Sequence, residues 1–230
     1  MKLDIVIPSH NRDIKLVNCL FSILKARRMY DVDVYVYFNT IEEVGKWAAN
    51  YPRRWINYRV INDYRVPNFW NSHLKDMIAD AMLYCTDDVV FEIDTISEVL
   101  NNYEKYFPNF DGVVGINQIN ISSKDKKEGA FGIIGKKYID NFPNKQVWCP
   151  DYYRFYADYE LELYAKSINK FVYCEDIKIN HLHGSIYGSD DTHIKVREWL
   201  SKDRETFFKR QKDDLLWGKS FKLIENITRN

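Results

Sequence analysis

Leu3-Asp4-Ile5-Val6-Ile7-Pro8-Ser9-His10-Asn11-Arg12-Asp13 is the stretch that decides the fold. An apolar run stopped by proline reads as a short buried strand. The polar residues after it offer N-caps, and Leu16, Leu20, Ile23 and Leu24 then share one face of a helix. The same unit recurs downstream. Residues 32–38 read as a strand ending at Asn39-Thr40, and residues 41–50 as a helix. Residues 55–61 read as a third strand, the polar loop 62–67 follows, and a helix is expected over 68–81. Leu83-Tyr84-Cys85-Thr86-Asp87-Asp88-Val89-Val90 closes the series with a strand that delivers two adjacent carboxylates. Strand–helix alternation of this kind predicts a single α/β domain with a mainly parallel, Rossmann-like sheet and helices on both faces. In such a sheet the loops after the strands gather at the carboxyl edge, where ligands lie.

The second half has a different rhythm. Residues 97–106 read as a helix and 112–121 as a strand. Gly129-Ala130-Phe131-Gly132-Ile133-Ile134-Gly135 is a glycine-punctuated segment suited to close backbone approach to a ligand. Asp158 opens a helix with Leu161, Tyr164, Ala165 and Ile168 on one face. Two strands are expected at 171–174 and 177–182, a Gly/Ser/Asp-rich loop at 184–191, and a charged terminal helix at 198–211.

Composition narrows the classes. The 230 residues carry 33 basic and 33 acidic side chains, so no global field draws the chain to nucleic acid or to an anionic membrane. Among the basic clusters, residues 202–212 with interleaved Phe207 and Phe208 resemble a contact surface. Cys19, Cys85, Cys149 and Cys174 lie far apart without zinc spacing, which fits free buried thiols in a reducing compartment. The strand pattern begins by Leu3, leaving no room for a signal peptide, and no apolar run approaches membrane-spanning length. A cytoplasmic protein is the expectation. Neither GxGxxG nor a Walker motif occurs, which disfavours ordinary dinucleotide and P-loop sites. Two carboxylates at a sheet edge, at Asp87-Asp88, suggest instead a hard cation holding a phosphorylated ligand.

In order and spacing the motifs resemble a family 2-like glycosyltransferase of the GT-A fold, over residues 3–184. Asp4-Ile5-Val6-Ile7-Pro8-Ser9-His10-Asn11-Arg12 looks like that family's first strand and P-x-x-N-R loop. Thr86-Asp87-Asp88 is similar to its DxD motif, with Thr86 in the first acidic place. Residues 129–135 resemble its glycine-rich acceptor-side segment. Ala157-Asp158-Tyr159-Glu160-Leu161 resembles its E-D-x-[DE]-L helix start, with Ala157 in place of Glu. Asn180-His181-Leu182-His183-Gly184 looks like its short histidine-containing strand. Asn39-Thr40 replaces its acidic D-x-G-S ending. The resemblance implies one domain over 1–230, with a nucleotide-sugar half at 1–95, an acceptor-side half at 96–195 and a helical tail at 196–230.

It also implies a metal-dependent transfer of a sugar from a nucleotide-sugar donor, with a UDP-sugar favoured, to a hydroxyl acceptor of unknown kind. Mn²⁺ or Mg²⁺ would neutralise the departing diphosphate. Asp88 is the expected metal ligand, with Asp87 as a second ligand or a donor contact. At most one of His181 and His183 is expected to face the site, and His183, beside Gly184, is favoured as metal ligand. Pro8, His10, Asn11, Arg12, Asn39, Asp63, Arg65 and Asn71 would bind donor. Asp158 would be the general base of an inverting reaction, with Glu160 as fallback. Tyr187 and Asp190 would close over the donor, and Trp70, Trp148, Tyr152 and Tyr153 would form an acceptor platform or pack in the core. Two other classes stay open. A sugar-phosphate nucleotidyltransferase shares such a sheet, but residues 9–13 have no Gly and one Arg to grip a triphosphate. A catalytically silent sugar- or nucleic-acid-binding module is kept open by Thr86 and Ala157.

Overall fold

The computed structural model describes residues 1–27, 30–51, 54–119, 129–182 and 192–219, with the side chains of 192–197 outside the description. Strands β1 (Leu3–Pro8), β2 (Val32–Phe38), β3 (Ile56–Val60), β4 (Ala81–Tyr84), β5 (Val89–Phe91), β6 (Val113–Ile119), β7 (Gly132–Gly135) and β8 (Phe171–His181) form one sheet. Their order is β3-β2-β1-β4-β7-β6-β8-β5. The block β3-β2-β1-β4 is parallel throughout. β7 runs antiparallel to β4 and β6, and β5 antiparallel to β8. The helices are α1 (Asp13–Ala26), α2 (Ile41–Asn50), α3 (Val66–Asp76), α4 (Thr95–Tyr106), α5 (Lys136–Ile139), α6 (Ala157–Ser167) and α7 (Thr192–Lys212).

Period-two alternation divides the core between the two faces. Leu3, Ile5 and Ile7 of β1, Val34 and Val36 of β2 and Leu83 of β4 pack with Leu16, Leu20 and Ile23 of α1, Trp47 of α2 and Val99 of α4. Val6, Tyr37, Met82 and Tyr84 point the other way, onto Phe69, Trp70 and Leu74 of α3 and Leu161 of α6. Asp4 shares that second face and is 1% exposed. It is compensated by His73 of α3, whose Nε2 lies 2.9 Å from its Oδ2, while Tyr37 Oη lies 3.3 Å from His73 Nδ1. α2 starts at an N-cap threonine, Thr40, whose Oγ1 accepts from Glu43 N at 3.3 Å.

Three sequence expectations shift. The helix expected over 68–81 ends at Asp76, because Met77 is extended and Ala81 already pairs with Leu3 in the sheet. The two strands expected at 171–174 and 177–182 are one strand, β8, whose pairing with β6 jumps register between Ile116 and Asn117; the irregularity absorbs Glu175 and Asp176 without breaking the element. The glycines of 129–135 serve the protein's own packing. A Cβ on Gly132 would stand 2.5 Å from Val114 O, and one on Gly135 2.1 Å from Tyr103 Oη.

One face of the charged terminal helix docks on the core through Asp203 and Phe207, while Phe208 stays exposed. Asp203 is 0% exposed, and its carboxylate accepts from the backbone N–H of Tyr153, Arg154 and Phe155 at 2.8–2.9 Å. Phe207 is buried and stacks on Tyr156 at 4.9 Å. Arg210 reaches Glu160 of α6 through Nε at 3.1 Å and Nη2 at 2.8 Å. Among the described residues no helix is long and apolar enough to cross a membrane.

Candidate active site

The sheet order reverses between β1 and β4, and the crevice outside their carboxyl ends is the switch point at which open α/β sheets take ligands. Parallel pairing sets Val6 against Tyr84, so the loop after β1 and the loop after β4 emerge side by side. Asn11 adopts φ 52°, a left-handed turn that asparagine tolerates, and α1 begins just beyond Arg12. Arg12 thereby faces the acidic pair.

Arg12 Nη1 donates to Asp87 Oδ1 at 3.1 Å and to Asp88 Oδ2 at 3.0 Å. The three side chains are 7%, 2% and 4% exposed. Ser9 Oγ donates to Asp87 Oδ2 at 2.7 Å, and Thr86 Oγ1 to Asp88 Oδ1 at 2.5 Å. His181 Nε2 stands 3.5 Å from Asp88 Oδ1, with its Nδ1 2.8 Å from Gln118 Oε1. Burial and the neighbouring Asp88 charge push Asp87 up to about 6, against the pull of Arg12 and Ser9. Burial acts on Asp88 too, but His181, Arg12 and Thr86 outweigh it and hold Asp88 well below the usual carboxylate range.

Asp87 and Asp88 are the described residues that would hold a divalent ion; each of their four oxygens accepts one hydrogen bond from a neighbouring side chain, which leaves a second lone pair on each. Among the described residues no group of three or more His, Cys, Asp and Glu side chains is placed to hold a metal ion; a Mg²⁺-type ion commonly takes only one or two carboxylates, with substrate phosphates completing its shell. The cation facing the pair is a guanidinium.

Beside this network lies a cleft lined by Pro8, Ser9, His10, Arg12, Asn39, Tyr64, Val66, Phe69, Thr86, Asp87, Arg154 and Trp199. Pro8, His10, Arg12, Asn39 and Asp87 of the expected donor set therefore share one cavity. Asn11 is on the same loop, its N–H donating to Glu43 Oε1 at 3.2 Å. Asp63 works on its own loop: it accepts from Tyr64 N, Arg65 N and Asn68 Nδ2, and its carbonyl accepts from Asn39. Arg65 donates to Pro150 O at 3.3 Å and lies over Tyr153. Asn71 is buried, and both of its amide atoms bond the backbone of Trp148.

Asp158 sits half-buried in the first turn of α6, where free N–H groups favour a charged carboxylate. The residue at the N-cap, Tyr156, is left-handed at φ 66° and is held by its stack on Phe207 of α7. Burial, followed by the charges of Asp158 and Glu162, pushes the Tyr84 phenol up, so it stays a donor to Gly129 O at 3.0 Å.

Several expectations change here. Glu160, the fallback base, is 1% exposed and bonds Arg210, Tyr152 Oη and Trp217 N, which makes it a structural anchor. Trp70, Trp148 and Tyr152 are buried in the core rather than spread as a platform. Tyr153 stacks on Trp199 at 6.0 Å. His181 faces Asp88; residues two apart on a strand share a face, so the expectation that at most one of His181 and His183 faces the site does not follow from alternation. His183, Tyr187 and Asp190 lie outside the described residues. Sequence reasoning missed Arg154 and Trp199, which reach the cleft from segments remote in the chain. The aromatic density of residues 152–156 and Trp199 was the available signal.

No family model and no curated protein sequence matches the chain. Solved structures do. The mannosyltransferase PcManGT from Pyrobaculum calidifontis, in complex with GDP-Man and Mn²⁺, superposes with a TM-score of 0.65 at 12% identity, over 96% of this chain and 69% of that one. Residues 1–349 of S. aureus TarS superpose with a TM-score of 0.55 at 13% identity, over 79% of this chain and 60% of that one. The same TarS segment in complex with UDP gives a TM-score of 0.55. This chain thus spans about 60% of the TarS segment. At these identities the likeness is one of fold: a single α/β domain on the Rossmann-like plan of a glycosyltransferase.

Proposed function

We propose that this chain transfers a sugar from a nucleotide-sugar donor, with a UDP-sugar favoured, to a hydroxyl acceptor, inverting the anomeric centre. The observation that carries the reading is the cleft at the β1/β4 switch point, whose lining brings together Pro8, Asn39 and Tyr64 with Arg12, Asp87 and Arg154. Aromatic and amide groups suit a nucleoside, and guanidinium groups suit a diphosphate. The neighbouring fold with GDP-Man and that with UDP support the donor class.

In this reading the acceptor oxygen attacks the anomeric carbon from the face opposite the diphosphate. A C–O bond forms, the bond to the diphosphate oxygen breaks, and the nucleoside diphosphate leaves with the electron pair. Asp158 takes the acceptor's proton. The mannosyltransferase neighbour carries Mn²⁺; here Asp88 with Asp87 would hold such an ion, which when bound would help neutralise the departing diphosphate. Asp63, Arg65 and Asn71 support the cleft by fixing loops. A thermal-shift panel of UDP-, GDP-, CMP- and dTDP-sugars tests the reading, because a ligand that binds the native state raises the melting temperature by mass action. Stabilisation by one class, with slow hydrolysis of that donor, is expected. A flat panel refutes the reading, and binding without hydrolysis or transfer would mark a silent module.

A further inference from the structure

We propose that the apolar groove between α1 and α2, with the basic residues around it, is a docking surface for an anionic lipid bilayer. The proposal goes beyond the donor reading and stands or falls apart from it.

α1 carries two apolar stripes. Leu16, Cys19, Leu20 and Ile23 are buried in the core. Ile14, Val17, Phe21 and Leu24 follow the same three- and four-residue spacing on an adjoining face. Of these, Ile14, Phe21 and Leu24 are 80%, 50% and 41% exposed. A helix that only covers a sheet needs one stripe. The second one builds a groove: Val17, Phe21 and Leu24 line it with Trp47 and Tyr51 of α2 and with Trp55 just before β3, and every lining residue is apolar or aromatic. Trp47 stacks on Tyr51 at 4.8 Å, and the Arg27 guanidinium lies 4.9 Å from the centre of the Trp55 ring, so the walls are preset.

Charge selects the occupant. Residues 17–30 and 44–56, which carry the lining, hold Lys25, Arg27, Arg28, Lys46, Arg53 and Arg54 and no Asp or Glu, in a chain with 33 charges of each sign. Counting the bordering acids Asp13, which pairs with Lys46, and Asp31 still leaves an excess of four, six basic less two acidic. Glu42 and Glu43 stand at the other end of α2, about 12 Å from Tyr51 by helical rise. Lys25 and Arg54 are exposed and make no ion pair among the described residues. Anionic headgroups match this excess, since each basic residue near such a surface adds to binding. Phe21, Leu24, Tyr51 and Trp55 suit the boundary between headgroups and acyl chains, where aromatic rings gather. A second copy of the chain would instead set the same basic rim against itself. Tyr51 follows α2 and Trp55 precedes β3, so the groove lies toward the amino edge of the parallel strands, opposite the cleft. A bilayer seated there leaves the cleft open.

The test is co-sedimentation of the full chain with vesicles of phosphatidylcholine alone and of phosphatidylcholine with about 30% phosphatidylserine, at low salt and in about 0.5 M NaCl. Retention on the anionic vesicles at low salt, with loss at high salt, is expected. Lys25→Gln with Arg54→Gln should lower the partition roughly 10- to 30-fold. Phe21→Ser with Leu24→Ser should lower it at least about tenfold. All four side chains are exposed, so both double variants should melt like the parent, and the charge variant leaves every apolar contact in place. Binding to neither vesicle overturns the proposal in favour of an acidic protein partner. Equal binding to both vesicles, or double variants that bind like the parent, also overturns it. Sedimentation velocity without lipid covers the remaining occupant: a dimer that Phe21→Ser with Leu24→Ser converts to monomer assigns the groove to a second copy and overturns the proposal as well.

Discussion

Replacing Arg210 by methionine should destabilise the whole domain, although Arg210 lies in the terminal helix, far along the chain from the sheet. Its guanidinium bonds both oxygens of Glu160, at 2.8–3.1 Å. Glu160 is 1% exposed and also accepts from Tyr152 Oη and Trp217 N. Methionine fills much of the arginine stem's volume but leaves a buried carboxylate without its countercharge. Breaking such a pair from one side costs roughly 3–5 kcal/mol. For a domain of this size each kcal/mol lowers the melting temperature by about 2–4 °C, so a fall of about 6–20 °C is expected by circular dichroism. Adding Glu160→Gln tests the cause. Glutamine removes the stranded charge, its oxygen can still accept from Trp217 N and its amide N–H can donate to Tyr152 Oη, so the double variant should regain more than half of the loss. A single variant that melts within about 2 °C of the parent, or a double variant no better than the single, would refute the buried-charge reasoning. The same contacts set the expectation for truncation. Removing the chain from about Ser201 deletes Asp203, Phe207 and Arg210, so it should unfold the domain rather than spare donor hydrolysis.

Asp158→Asn should cut transfer by roughly two to four orders of magnitude, the usual size of general-base catalysis, while nucleotide affinity by titration holds; normal turnover removes Asp158 from the mechanism. Gly132→Ala places a methyl 2.5 Å from Val114 O and 2.9 Å from Tyr84 Oη, so a loss of about 1–3 kcal/mol is expected in urea unfolding, and an unchanged midpoint would show that β7 gives way. The four cysteines are buried, and burial pushes the Cys149 thiol up to about 12. Thiol titration of the native protein near pH 8 should therefore be slow for all four and complete on denaturation; rapid native labelling of any one would contradict its placement.

The first half of the fold was legible because its information is local. Residues 3–8, 32–38 and 41–50 announce themselves by apolar runs, a stopping proline and a Thr40 cap, and the sheet assembles them in the expected parallel order. Legibility fades where local propensity loses to pairing. Residues 77–81 continue a helical pattern by composition, yet Ala81 belongs to β1's edge. Val89–Phe91 was invisible as a strand because three residues carry no periodicity, and its strand partner among the described residues is β8, ninety positions downstream by register (Val90 against Asn180). The β8 irregularity hid for the converse reason: Glu175 and Asp176 look like a turn until the pairing with β6 carries the strand past them.

The site shows the same limit more sharply. Every member of the Arg12–Asp87–Asp88 network stood out in the sequence, and each was read as reaching outward, to donor or to metal. That they reach first to one another follows from a contact between residues 76 positions apart, which only the pairing of β1 with β4 creates. A buried carboxylate pair must find compensating charge. Sequence can state that requirement without saying who meets it, since an external ion and an arginine on the neighbouring loop satisfy it equally well on paper. Geometry supplies one part of the answer: the loop after β1 turns at Asn11 and aims Arg12 across the strand ends at the two carboxylates. The acidic motif is therefore informative about where charge must be balanced, and the loop opposite it about what balances it.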